Sequence, residues 1–286
     1  MNLNIAGAPL LGLRWARSLL RPGCQALITP QAVVLNPGGK TRPIVRQCIN
    51  LSGTLEIQFA AAVNDLLQMM DVENLQGRRL QLVVSDYWAR PVTLPIVGKP
   101  PRDEQIEIVL QNHYRRTYGD LMNGWRLCWA AQAARLVAVA WPTDGLDVLR
   151  GGLAQRGCIL AEAKPLTIDI ASKALPGRVS SWLAIMEPQS ITLVHQQDGL
   201  WQDWCVSINA TDMAQTLSLQ LARETACCGD NCRLLTLVNL NASTSVNLIR
   251  KTLIDAAWTL RVWPSTPTDA SMGYRLSQAI ILGTVA

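Results

Sequence analysis

With 286 residues, 49% of them hydrophobic, the chain can bury one large core or two ordinary ones, which excludes a disordered or fibrous protein. Its formal charge of +5 is mild, yet residues 1–55 carry Arg14, Arg17, Arg21, Lys40, Arg42 and Arg46 without one acidic residue, a basic end suited to solvent, acidic lipid, nucleic acid or an acidic partner. No run of about 20 apolar residues exists, so no helix is expected to span a membrane.

Residues 10–21 read as an amphipathic helix, with Arg14, Arg17 and Arg21 on one arc and Leu13, Trp15, Leu19 and Leu20 on the other. The stretch fails as a signal peptide, because no charge precedes its apolar part and no small-residue cleavage site follows it. Two readings stay open: an interfacial anchor using Arg14, Trp15, Arg17 and Arg21, or a short terminal helix packed on the body. The second is the plainer one.

Gln25 to Asn36 reads as two short strands around Thr29-Pro30, Pro37-Gly38-Gly39 as a turn, and Val45 to Leu51 as a third strand. A helix opened by Ser52-Gly53-Thr54 follows, with Leu55, Phe59, Ala62, Val63, Leu66, Leu67 and Met70 spaced for one buried face. Leu80 to Val84 is an apolar, β-branched run ending at Ser85 and Asp86, hence a buried strand. Beyond Tyr87-Trp88-Ala89-Arg90 another strand, Pro91 to Val97, begins.

Arg102-Asp103-Glu104 start a helix whose inner face holds Ile106, Val109, Leu110, His113 and Tyr114, up to Tyr118-Gly119. Trp125 to Ala131 and Arg135 to Trp141 read as strands, Thr143 as the cap of a helix reaching Gly157, and Cys158 to Ala163 as a strand. Pro91 to Lys164 therefore has the order βαββαβ, which predicts a four-stranded sheet with two helices on one face.

Leu166 to Ala174 reads as a transition segment. Strands at Ser181 to Met186, Ser190 to Gln196 and Leu200 to Ile208 follow, the last two joined by the hairpin signal Asp198-Gly199. A helix opened by Thr211 and Asp212 carries Met213, Leu217, Leu219, Leu221 and Ala222. Leu234 to Leu240 is a strand, Ser243 or Thr244 caps a helix through Leu248, Leu253, Ile254 and Trp258, and Leu260 to Trp263 is a last strand. Residues 271–283 are expected to close the fold as a helix. The order of three strands, helix and strand thus occurs twice.

Chemistry is sparse. No Walker A sequence, G-x-S-x-G elbow, H-E-x-x-H helix or G-x-G-x-x-G turn is present. Ser85-Asp86 has no histidine near it in sequence, His113 stands beside Arg115 and Arg116 on a helix edge, and His195 is inside a strand. Of eight cysteines, Cys24, Cys48, Cys128, Cys158 and Cys205 are scattered singly, which suits buried thiols in a reducing compartment. Cytoplasm is the default. Cys227, Cys228 and Cys232 cluster, but zinc wants about four paired ligands and the chain has two histidines, so structural thiols are expected and no metal. The ten tryptophans lie mostly at strand spacing, as core residues do, so no nucleic-acid stacking platform is expected.

The duplicated order with a βαββαβ unit inserted after its first copy resembles the actin-like (ribonuclease H-like) ATPase fold. Leu82-Val83-Val84-Ser85-Asp86-Tyr87-Trp88-Ala89-Arg90 with Leu94-Pro95, and Tyr118-Gly119, resemble stretches of the branch containing FtsA, PilM and GspL. The resemblance covers most of residues 24–283. It implies an α/β chain divided into a basic N-terminal segment (1–23), a first actin-like half (24–90), an inserted subdomain (91–165) and a second half (166–286).

Actin-like ATPases cradle phosphate in two Gly-rich hairpin turns, each with an aspartate serving metal and water. The corresponding stretches here, Ile28-Thr29-Pro30-Gln31 and Met186-Glu187-Pro188-Gln189, lack glycine, and each proline removes an amide donor. Glu187 could stand in for a metal-binding carboxylate, yet a pseudo-ATPase without nucleotide or other cofactor is expected. The resemblance then implies a non-catalytic scaffold of a type IV pilus or type II secretion-like assembly. It would be cytoplasmic and peripheral to the inner membrane, and could self-associate. It would bind a short peptide of an inner-membrane protein near Trp88, Arg90 and Tyr118. An active actin-like ATPase or kinase, and an adaptor held on the membrane surface by residues 10–21, are the alternatives.

Overall fold

The computed structural model describes residues 23–263 except 39–42, 48–51, 98–101, 123, 176–178, 209–211, 229–231 and 242. The expected helices at 10–21 and 271–283, and with them Arg14, Trp15, Arg17 and Arg21, lie outside the described residues. No helix among the described residues is long and apolar enough to cross a membrane.

Strands β1 (Gly23–Ile28), β2 (Ala32–Asn36) and β3 (Ile44–Gln47) lead into helix α1 (Leu55–Val72) and strand β4 (Arg79–Val84). Thr54 caps α1 by accepting from the Ile57 amide, and Phe59, Ala62, Val63, Leu66, Leu67 and Met70 form its buried stripe as the spacing predicts. Next come β5 (Arg90–Pro95), α2 (Asp103–Tyr118), β6 (Arg126–Gln132), β7 (Arg135–Trp141), α3 (Thr143–Gln155), β8 (Ile159–Pro165) and α4 (Leu166–Ala174). The second half consists of β9 (Ser181–Glu187), β10 (Ser190–Gln197), β11 (Leu200–Ile208), α5 (Met213–Cys228), β12 (Leu234–Asn239), α6 (Val246–Ile254) and β13 (Thr259–Val262).

The duplication is visible in the sheets. One five-stranded sheet runs β3-β2-β1-β4-β8 and the other β11-β10-β9-β12-β13, the same order with the same sense of pairing. In each, the hairpin strands are antiparallel, while β1 pairs in parallel with β4 and β4 with β8, as β9 does with β12 and β12 with β13. Parallel pairs need a crossover, which α3 and α6 supply in front of β8 and β13. Side chains of both halves join in one core: Leu27, Phe59, Leu82 and Trp88 share it with Leu183, Ile185, Val194 and Val238.

The inserted unit differs from expectation. Its sheet has three strands, β5-β7-β6, because β8 pairs with β4 in the body instead. The reason lies in α3, which packs on α1 through two glycines one heptad apart. A Cβ on Gly145 would come within 2.3 Å of Phe59, and one on Gly152 within 2.3 Å of Leu67. Arg156 beyond the end of α3 also binds Asp71 at 2.5–2.7 Å, so the whole α3–β8 pair stays with the body. The insertion's own sheet and helix therefore end at β7, and its small core gathers Val92, Ile106, Leu110, Tyr114, Trp125 and Leu136.

Smaller differences have local causes. Residues 166–174, read as a transition, form α4, begun by Pro165 at its cap. Thr143 is the first helical residue of α3, and Pro142 takes the cap position. Ser245, one residue past the expected caps, precedes α6. Leu219, Leu248 and Ile254 face solvent where an inner face was expected, and Ala214, Gln220, Thr225 and Ile249 are buried in α5 and α6. A polar residue beside a long apolar run shifts the apparent stripe by about one position, and only packing sets its phase.

Candidate functional site

The two hairpin turns that would hold phosphate are closed on themselves. Between β1 and β2, Thr29 and Ala32 exchange backbone hydrogen bonds (2.9 and 3.3 Å). The Thr29 hydroxyl donates to the Ala32 carbonyl at 3.0 Å and accepts from its amide at 3.1 Å. Pro30 has no amide to offer. Between β9 and β10, Glu187 turns inward. It is 1% exposed, and its Oε2 accepts from Ser85 at 2.6 Å and from Ser190 at 3.3 Å. Burial pushes the Glu187 carboxyl up to about 7, against the pull of those two hydroxyls and of Arg90.

Between the turns lies the polar end of β4. Asp86 is fully buried, its Oδ2 accepts from the Thr167 hydroxyl of α4, and burial holds its carboxyl well above the ordinary range. Arg90, at the start of β5, is 1% exposed. Its guanidinium lies 5.2 Å from the Tyr87 ring centre and 5.5 Å from that of Tyr118, and no nitrogen of it has a hydrogen-bond partner among the described residues. The arrangement is a buried charge cluster, Asp86, Arg90 and Glu187, in which ring faces and opposite charges replace water.

The predicted docking residues are distributed unequally. Trp88 is 0% exposed and packs on Phe59 with ring centres 5.5 Å apart, so it belongs to the core. Arg90 is equally inaccessible. Both are buried, Trp88 in the turn that follows β4 and Arg90 at the start of β5. Tyr118 is half-buried and stacks on Tyr114 at 6.1 Å. Tyr114 in turn donates its hydroxyl to the Arg90 carbonyl at 2.7 Å. The two tyrosines thus connect the buried cluster to the insertion.

An open cleft of roughly 240 Å³ lies there, lined by Gln111, Tyr114, Arg115, Gly124, Trp125 and Leu127. Trp125 donates its indole N–H to Glu56 of α1 at 2.5 Å, which fixes one wall to the body. Arg115, exposed in the last turn of α2, places positive charge at its rim. The sequence signal for this cleft was the Arg115-Arg116 pair beside His113. His113 is half-buried, and burial lowers its pKa. The other end of the insertion is tied down: Arg135 donates to Gln202 at 3.2 Å, and the Trp201 amide to Gln132 at 3.2 Å, so β11 of the second half abuts it.

The tryptophans at strand spacing are mainly core, with Trp141 and Trp182 at 0% exposed and Trp204 at 4%, which removes them as stacking platforms. Among the described residues, His195, Asp203 and Cys228 offer ligand atoms close enough together for a metal ion.

No protein-family model matches the sequence, and no curated protein matches it. Solved structures do. A Bacteroides thetaiotaomicron protein of unknown function with an actin-like ATPase fold is similar over 94% of this chain and 99% of its own, with 8% identity and a TM-score of 0.62. This chain has the actin-like fold. A chain of the PilM-PilN type IV pilus biogenesis complex is similar over 92% of this chain and 98% of its own, with 12% identity and a TM-score of 0.58. The cytoplasmic domain of EpsL, an inner membrane component of the type II secretion system of Vibrio cholerae, is similar over 91% and 94%, with 12% identity and a TM-score of 0.49.

Proposed function

We propose that this chain is a non-catalytic actin-like scaffold that docks a short peptide of an inner-membrane protein in a pilus or secretion-type assembly. The observation that carries the non-catalytic part is the state of the two turns. The amide of Thr29 and the carboxylate of Glu187 are spent on internal partners, and two prolines remove further donors. Phosphate transfer is almost wholly positioning and charge stabilisation, so two turns without glycine, with Thr29 and Glu187 engaged internally, favour the non-catalytic reading. Likeness of fold to a chain of the PilM-PilN type IV pilus biogenesis complex supports the assembly role.

For docking, the support is the insertion cleft. It is concave, walled by Tyr114 and Trp125, and rimmed by Arg115, a combination suited to an apolar peptide with an acidic residue. Tyr118 adjoins it through its stack on Tyr114, whose hydroxyl donates to the Arg90 carbonyl. Residues 10–21 would add a lipid contact of their own. Co-purification of the chain with a single-span inner-membrane protein is the test: Arg115→Glu is expected to abolish it and Arg116→Ala to leave it unchanged. Capture indifferent to Arg115→Glu removes the cleft as the site. Micromolar binding of magnesium ATP by calorimetry overturns the non-catalytic reading.

A further inference from the structure

At the β10–β11 hairpin of the second half, three residues converge on one point. His195 of β10 and Asp203 of β11 are cross-strand partners, next to a register shift between His195 and Gln196. Cys228 is the last residue of α5. Its Sγ donates to Asp203 Oδ2 at 2.8 Å, and one ligand atom from each of the three residues lies within 4.8 Å of the others. A face-to-face stack on Trp182, 4.5 Å between centres and 12° between planes, holds the His195 ring in orientation. On its other side, Nε2 lies 3.3 Å from the Ser180 hydroxyl, whose residue also accepts the Cys232 thiol at its carbonyl, 3.0 Å away.

We propose that His195, Asp203 and Cys228 form a binding site for a divalent transition-metal ion of the zinc class, with the fourth position open to water. The donor set is one imidazole nitrogen, one carboxylate oxygen and one thiolate sulfur, the mixture that zinc takes from proteins. Charge also balances. On binding, the Cys228 thiol gives its proton to solvent and its sulfur bonds the metal. The Asp203 oxygen that had accepted that proton's hydrogen bond turns to the metal as well. Two anions then neutralise a doubly charged cation.

Zinc–ligand bonds of about 2.0–2.3 Å put tetrahedral ligands roughly 3.3–3.8 Å apart, so three atoms that lie within 4.8 Å of one another, with the Cys228–Asp203 pair at 2.8 Å, need about 1 Å of side-chain adjustment. Asp203 and Cys228 are half-exposed, which gives them room to rotate and gives the ion an entry path, while His195 is the fixed point at 1% exposed. The sequence hides the site because its ligands are 8 and 25 positions apart and none belongs to a paired C-x2-C spacing.

The test is titration of the full-length reduced protein with cobalt(II) as the probe. One equivalent with a near-ultraviolet thiolate-to-cobalt absorption, displaced by zinc, is expected. Cys228→Ser should abolish that absorption. Asp203→Asn should weaken cobalt at least tenfold, with the far-ultraviolet dichroism of both variants unchanged. Absence of the absorption in the unmodified protein overturns the proposal. So does its persistence in Cys228→Ser, which assigns the ion to Cys227 or Cys232, and so does an unchanged affinity in Asp203→Asn.

Discussion

The two halves repeat one strand order, yet they close their equivalent hairpin turns by different means. The first turn uses neutral groups only: Thr29 and Ala32 satisfy one another, and nothing there titrates near neutrality. The second uses a carboxylate that is pulled into the core, bound by Ser85 across the junction, and pushed up to about 7 by burial. A phosphate cradle needs the same thing of both turns, free donors beside accessible glycine backbone. The two turns thus differ in kind, and the raised carboxyls of this region, Glu187 and Asp86, lie at the second turn and at the end of β4.

The comparison breaks most sharply at Arg90, the cation beside the second turn. Arg90→Glu would put a third acid into a buried cluster that already holds Asp86 and Glu187, leaving charges without water or partner. A loss of about 3–5 kcal/mol is expected, read as a lower midpoint in urea or as insoluble protein. A variant as stable as the unmodified chain would show that water reaches this cluster.

Glu187→Gln sharpens it next. The folded state raises this group from an ordinary 4.5 to about 7. Between these values the folded chain keeps a proton that the unfolded chain has lost, so stability falls as pH rises through the window and levels off above it. Asp86, also raised, acts in the same direction. Measured against Glu187→Gln, whose amide oxygen can still accept from Ser85, the unmodified protein should lose roughly 1–3 kcal/mol between pH 5 and 8 by thermal melts. Parallel melting curves across that range would move the titrating group elsewhere.

The smallest effect belongs to the first turn. Thr29→Val keeps the shape and removes the hydroxyl that both donates to and accepts from Ala32. A loss of about 1 kcal/mol, independent of pH, is expected from chemical unfolding at two pH values. A pH-dependent loss would mean that the first turn also communicates with a titrating group.

Much of this was legible along the chain. Period-two and period-3.6 patterns determined the strands, the α1 stripe and the repeated order, because alternation and helical spacing follow from local geometry. The missing glycines at Thr29-Pro30-Gln31 and Glu187-Pro188-Gln189 were equally plain, since backbone access to phosphate depends on side chains at those positions alone. The docking residues were less so. Trp88 and Arg90 look like an exposed aromatic and cation after a strand, and nothing local says that the turn folds inward.

Tertiary structure alone decided the rest, because strand pairing and burial depend on residues far apart in sequence. Local order allowed β8 to finish the insertion. The contact of Gly145 and Gly152 with Phe59 and Leu67, about 85 residues away, assigned it to the body. Likewise the sequence by itself gave His195, Asp203 and Cys228 no connection, since they become neighbours only when β10 pairs with β11 and α5 returns across them. Sequence set the elements and left the two turns without glycine; the packing of one half against the other chose which charges to bury and brought His195, Asp203 and Cys228 together.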